Sequence, residues 1–214
     1  MRTRDWMNKL VSAAGFAALL AVGCQESTGG GLALVHVSMA QTGASSSAAL
    51  APQLVTTGAI DPAIVAVLTV QLDAVELQTS GSGWQRVDLA SPVQPFDLKA
   101  LPTTGSGTPI ALGDVEVEAG ACQARLFVSN PVIKFNQEVT VGDSHFDVDV
   151  DYGAVLRIPS GDQTGLKADG ECTVAGSPAN VTLAFDVGAT VGTIAVTGSG
   201  SILLTPVVRI AQAP

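Results

Sequence analysis

Residues 64–79, IVAVLTVQLDAVELQT, decide the fold class. Apolar side chains recur at every second position through Ala66, Leu68, Val70 and Leu72, then resume out of phase at Val75 and Leu77. A period of two sets those residues on one face of an extended strand. The change of phase means that one residue has been inserted near Asp73 or Ala74, as a β-bulge does in a long strand.

Working outward, Ser80-Gly81-Ser82-Gly83 reads as a turn and Trp84 to Leu89 as the returning strand of a hairpin. Upstream, Leu32 to Met39 alternates as a first strand, and Gln41 to Pro52 is a Ser-, Ala- and Gly-rich loop. Downstream, short runs rich in Val, Ile, Leu and Thr follow at Pro95–Leu98, Ile110–Val117, Cys122–Ser129, Val132–Phe135, Gln137–Val141, His145–Tyr152 and Ala154–Ile158. Cys172–Ala175, Val181–Val187, Thr193–Thr197 and Ile202–Ile210 complete the series, and no stretch shows convincing helical periodicity. The expectation is an all-β chain forming an immunoglobulin-like or Greek-key sandwich, one domain over 32–214. Residues 24–214 hold only seven aromatics, too few for the girdles of a membrane-embedded barrel.

The N-terminus is of another kind. Arg2, Arg4 and Lys9 precede an uncharged run from Leu10 to Gly23, which is shorter than the roughly 20 residues needed to span a bilayer. It ends in Leu20-Ala21-Val22-Gly23-Cys24, which resembles the bacterial lipobox. Residues 1–23 are therefore expected to be a lipoprotein signal peptide, Cys24 the lipid-attachment residue and 24–31 a flexible Gly-rich tether. By the same resemblance, Gln25 rather than Asp after the cysteine implies an extracytoplasmic, outer-membrane location.

Arg2, Arg4 and Lys9 against Asp5 give that segment +2, so of the formal −9 of the whole chain the remainder carries −11. Such acidity argues against nucleic acid and anionic lipid as partners, leaving the lipid anchor as the membrane contact. Beyond Cys24 the cysteines are Cys122 and Cys172, and in an oxidising compartment pairing is their ordinary fate, two buried thiols being the other reading.

The segment from Ile158 to Lys167, IPSGDQTGLK, resembles the domain of unknown function 4382 family of bacterial extracytoplasmic proteins. The likeness extends to Asp73–Leu77 with Trp84, Phe96–Leu98, Leu112-Gly113-Asp114, Ala119-Gly120, Arg125-Leu126, Val181–Asp186 and Leu203–Ile210. It implies a β-rich domain found in lipoproteins, and no activity. Two departures stand out: Ala40–Ala44 replaces a short acidic-proline turn, and Cys122 and Cys172 occupy positions where the family has other residues, often aromatic. A paired gain of cysteines favours the disulfide.

Asp147, Asp149 and Asp151 alternate with Phe146, Val148, Val150 and Tyr152, which on a strand would gather three carboxylates on one face. That face is either solvated or a calcium site; no other cofactor is expected. In the 158–167 loop, Ser160, Gln163, Thr164 and Lys167 are candidates to hold a ligand, against the plainer role of satisfying backbone groups in a turn. His36 and His145 have no third partner at a recognisable catalytic spacing, so no enzyme is expected. What remains is binding of carbohydrate or of an envelope protein, with Trp84 and Tyr152 the candidate stacking platforms.

Overall fold

The computed structural model describes residues 31–43, 60–91, 95–141, 143–159, 163–197 and 201–211. The expected signal peptide, Cys24, nearly all of the expected tether and Ser160 lie outside them. In chain order, β1 (Leu32–Gln41) precedes a 3-10 turn at Pro62–Ile64, then β2 (Val65–Thr79), β3 (Trp84–Arg86), β4 (Asp88–Leu89), β5 (Pro95–Asp97), β6 (Ile110–Glu118) and β7 (Gly120–Phe135). The second half holds β8 (Val139–Val141), β9 (Ser144–Phe146), β10 (Leu156–Arg157), β11 (Leu166–Lys167), β12 (Cys172–Val174) and β13 (Ala179–Phe185). A short helix α1 (Val187–Gly192) is followed by β14 (Ala195–Val196), β15 (Ile202–Leu203) and β16 (Val208–Ala211).

The fold is an all-β sandwich. One sheet has the order β16-β13-β1-β6-β4; the other runs β11-β7-β2-β3, with β12 on β7 and β5 on β2. Smaller sheets join β10, β15 and β14, and β8 and β9. In the first sheet β1 lies between an antiparallel β6 and a parallel β13. The second is built on β2 and β7, antiparallel over nearly their whole length. Alternate residues of each turn inward: Val35, Val37 and Met39 from β1, Leu68, Val70 and Leu72 from β2, Leu126, Val128, Ile133 and Phe135 from β7, all in one apolar cluster.

The bulge expected near Asp73 is present: the β2–β7 register shifts between Leu72 and Ala74, after which Val75 and Leu77 face the core. Several other elements differ from the sequence reading. Trp84 to Leu89 is two strands, because the chain changes sheets at buried Val87: β3 pairs with β2 and β4 with β6. Cys122 to Phe135 is one strand, with the irregularity at Asn130 (φ 44) and Pro131 taken up in a register shift against β2. β1 continues through Ala40 and Gln41, the latter bonded to Pro102 and Thr104. The helix α1 was not legible as a period; Asp186 caps it by accepting from the Ala189 N–H at 2.9 Å.

The largest correction falls on 145–152. Strand β9 ends at Phe146, Asp149 adopts φ 58, and Val148 and Val150 are exposed rather than facing a core. The Tyr152 hydroxyl accepts the Asp147 N–H at 2.6 Å, folding the segment back on itself, while its ring packs edge-on against Phe146.

Candidate binding face

The outer surface of the second sheet gathers the chemistry. Strand alternation sends Glu76 and Gln78 outward from β2, and Gln123, Arg125 and Phe127 outward from β7. Pairing then aligns them across strands. Arg86 of β3 stands opposite Glu76, Glu76 opposite Arg125, and Arg125 opposite Lys167 of β11, so four adjacent strands form one row. At about 4.8 Å per strand the row is about 15 Å long. Two residues along, Trp84, Gln78 and Gln123 form a second row.

Arg125 ties the rows together. Its Nε and Nη2 donate to Glu76 Oε2 at 2.7 and 2.6 Å, and its guanidinium lies 4.3 Å from the Trp84 ring centre and 5.2 Å from that of Phe127. Planar, weakly hydrated guanidinium suits such stacking. Arg86 is exposed and donates to the Asp73 carbonyl. Lys167 is exposed, and among the described residues its ammonium has no partner. The row thus carries three cations and one carboxylate.

At the end of the second row, the turn after β2 and Glu171, just ahead of β12, flank an open cleft of about 250 Å3 lined by Gln78, Thr79, Ser80, Ser82, Ala121, Cys122, Gln123 and Glu171. Its polar walls are amides and hydroxyls with one carboxylate, and Ala121 and Cys122 supply an apolar part. Cys122 and Cys172, paired in register between β7 and β12, form a disulfide beneath it. A second cavity, about 50 Å3 near Leu72 and Phe96, is far smaller.

The sequence-derived candidates are distributed as follows. Lys167 joins the row; Gln163 and Thr164 are exposed in the turn leading to it, while Ser160 lies outside the described residues. Gly165 (φ 76) lets that turn lie over the row, since a Cβ there would stand 3.3 Å from Phe127 and 3.4 Å from Arg125. Trp84 is partly exposed on the same face, with one ring face taken by Arg125. Tyr152 belongs instead to the Phe135–Phe146 aromatic cluster.

Asp147, Asp149 and Asp151 do not share a strand face. Asp151 accepts the Gly153 N–H in a turn, and Asp147 lies with Glu138 and His145 by the β8–β9 hairpin, the three exposed side chains offering ligand atoms within 4.8 Å of one another. His36 Nδ1 is 2.6 Å from Asp114 on the outer face of the other sheet. Sequence reasoning missed Arg86, Glu76, Gln78, Gln123 and Glu171: a turn at 80–83 between Thr79 and Trp84 would set Arg86 opposite Leu77, whereas the observed register sets it opposite Glu76.

The family described as a domain of unknown function (DUF4382) matches residues 55–206. The chain belongs to the DUF4382 family. The matched region contains both rows and the cleft, so the face lies within the DUF4382 domain itself. No curated protein and no solved structure matches the chain. No helix among the described residues is long and apolar enough to cross a membrane.

Proposed function

We propose that this protein is a non-catalytic, lipid-anchored envelope component whose DUF4382 domain binds carbohydrate in the cleft beside Trp84. The observation that carries the reading is the cleft's lining. Gln78, Ser80, Ser82 and Gln123 offer donors and acceptors at a solvent-open surface, and Trp84 stands opposite Gln78 at its margin. Sugar hydroxyls are both donors and acceptors, and amide and hydroxyl side chains match them. The anchor is supported by the lipobox-like run ending at Cys24, and an outer-membrane location by Gln25 in place of Asp after it.

Besides Trp6 in the signal segment, Trp84 is the single tryptophan, so a soluble form beginning at Gln25 has one indole reporter next to the cleft. Titration with a panel of oligosaccharides should change Trp84 emission and give heat in calorimetry. Gln78→Ala and Gln123→Ala should each weaken binding severalfold without unfolding the domain, both being partly exposed. Binding by no glycan, or undiminished binding by both variants, removes this reading and leaves a surface that contacts envelope proteins. Separately, Cys24→Ser in the full chain should move the protein from the membrane to the soluble fraction.

A further inference from the structure

We propose that the glycan taken by this face is an acidic polysaccharide, its carboxylates held on the row Arg86, Arg125 and Lys167 while its ring hydroxyls occupy the neighbouring cleft; this rests on the carbohydrate reading above. The net charge of the chain points the other way, and the distribution of charge decides. Beyond Cys24 there are seven basic residues, and three of them stand on this row. Glu76 is the row's single carboxylate, and Arg125 already holds it. The row therefore has a surplus of two positive charges. One of these, Lys167, has no partner among the described residues, and Arg86 is bonded only to a neutral carbonyl.

Asp73 adjoins Arg86 on β2 and Glu171 lies within the cleft, while other acidic side chains stand on the opposite sheet. Asp88, Asp114 and Glu116 are exposed on the first sheet, on the far side of the sandwich. Stacked sheets lie about 10 Å apart and side chains add to that, so at physiological salt those charges are more than a Debye length of about 8 Å from the row. A polyanion meeting the second sheet encounters the local cations.

Two further features favour a glycan over an arbitrary polyanion. The row lies directly beside the Gln78–Gln123 row, so charge and hydroxyl recognition are one strand repeat of about 7 Å apart, within the span of a single sugar residue. Glu171, within the cleft, repels a carboxylate there and turns the acidic edge of the ring toward Arg125 and Lys167. Guanidinium presents a planar fork that matches a carboxylate, and Arg125 is pre-set between Trp84 and Phe127.

The test compares polygalacturonate with its fully methyl-esterified form, which keeps the sugar rings and removes the charge, and with polyaspartate, which keeps the charge and removes the rings. The soluble form from Gln25 is used, read by Trp84 emission and calorimetry. The proposal expects polygalacturonate to bind at least about tenfold more tightly than either comparator and to weaken steeply with added salt. Arg86→Gln with Lys167→Gln, both exposed and so neutral to folding, should lose about tenfold or more in affinity for polygalacturonate with an unchanged melting midpoint. Equal binding of the ester overturns the acidic assignment and leaves the carbohydrate reading standing. Equal binding of polyaspartate overturns the glycan assignment. Polygalacturonate binding that the double variant leaves intact shows that this row is not the site, and absence of binding to all three overturns the proposal.

Discussion

Arg125 shows how one side chain can organise a surface. Its ion pair with Glu76 is more than two-thirds withdrawn from water, the side chains being 27% and 18% exposed, so it is not among the fully solvated pairs that contribute almost nothing. Replacing it with alanine leaves the Glu76 carboxylate half-buried without its cation and frees the Trp84 ring. Arg125→Ala should lower stability by about 1.5–3 kcal/mol and shift Trp84 emission, measured by denaturant unfolding followed by fluorescence. Arg125→Lys should recover only part of the loss, because an ammonium retains the charge and neither the two-point donation nor the flat stacking surface. Full recovery by lysine would show that the stack with Trp84 contributes nothing.

At the scale of elements, what could be read from the sequence depended on strand length. The bulge in 64–79 was visible because alternation persisted for several residues on both sides of the slip, and β1 and β6 were recognisable as strands for the same reason. Two-residue strands such as β4, β10 and β11 carry too few residues to define a period. Asp147 to Tyr152 misled in the opposite way: it alternates like a strand, yet Val148 and Val150 are exposed and a hydrogen bond from the Asp147 N–H to the Tyr152 hydroxyl closes a turn. Period reports an amphipathic pattern, not the burial that would make it a strand. The candidate face was half legible, since Lys167 and Trp84 were singled out separately, whereas their connection through Arg125 is a product of pairing between distant strands. Gly113 is another such product. A Cβ there would stand 2.0 Å from the Asp88 carbonyl, since β4 runs directly against it. Gly113→Ala should therefore detach β4 from β6 and cost about 1–3 kcal/mol. Faster hydrogen exchange at Asp88–Leu89 with β2 and β7 still protected is the expected pattern; unchanged protection would show that the strands absorb the methyl group.

For the whole molecule, the disulfide links fold stability to the candidate cleft. It joins residues 50 apart, and in the chain-entropy model a loop of that length stabilises the native state by about 4 kcal/mol. The native side of the balance matters as well: β12 is three residues long, lies on the edge of the second sheet, and meets β7 at the Cys172–Cys122 pair. Both cysteines are almost wholly buried, so two serines there would add buried hydroxyls in place of the bond; alanines remove it more cleanly. Cys122→Ala with Cys172→Ala should lower the melting midpoint by roughly 8–16 °C for a domain of this size, at about 2–4 °C per kcal/mol. Because Cys122 and Glu171 both line the cleft, the same variant should lose glycan affinity at temperatures where it is still fully folded. If the midpoint falls while affinity at low temperature stays unchanged, the bond serves the fold alone and the cleft is held open by the β2–β7 ribbon. If both fall together, the oxidised bond is a condition for binding as well as for stability.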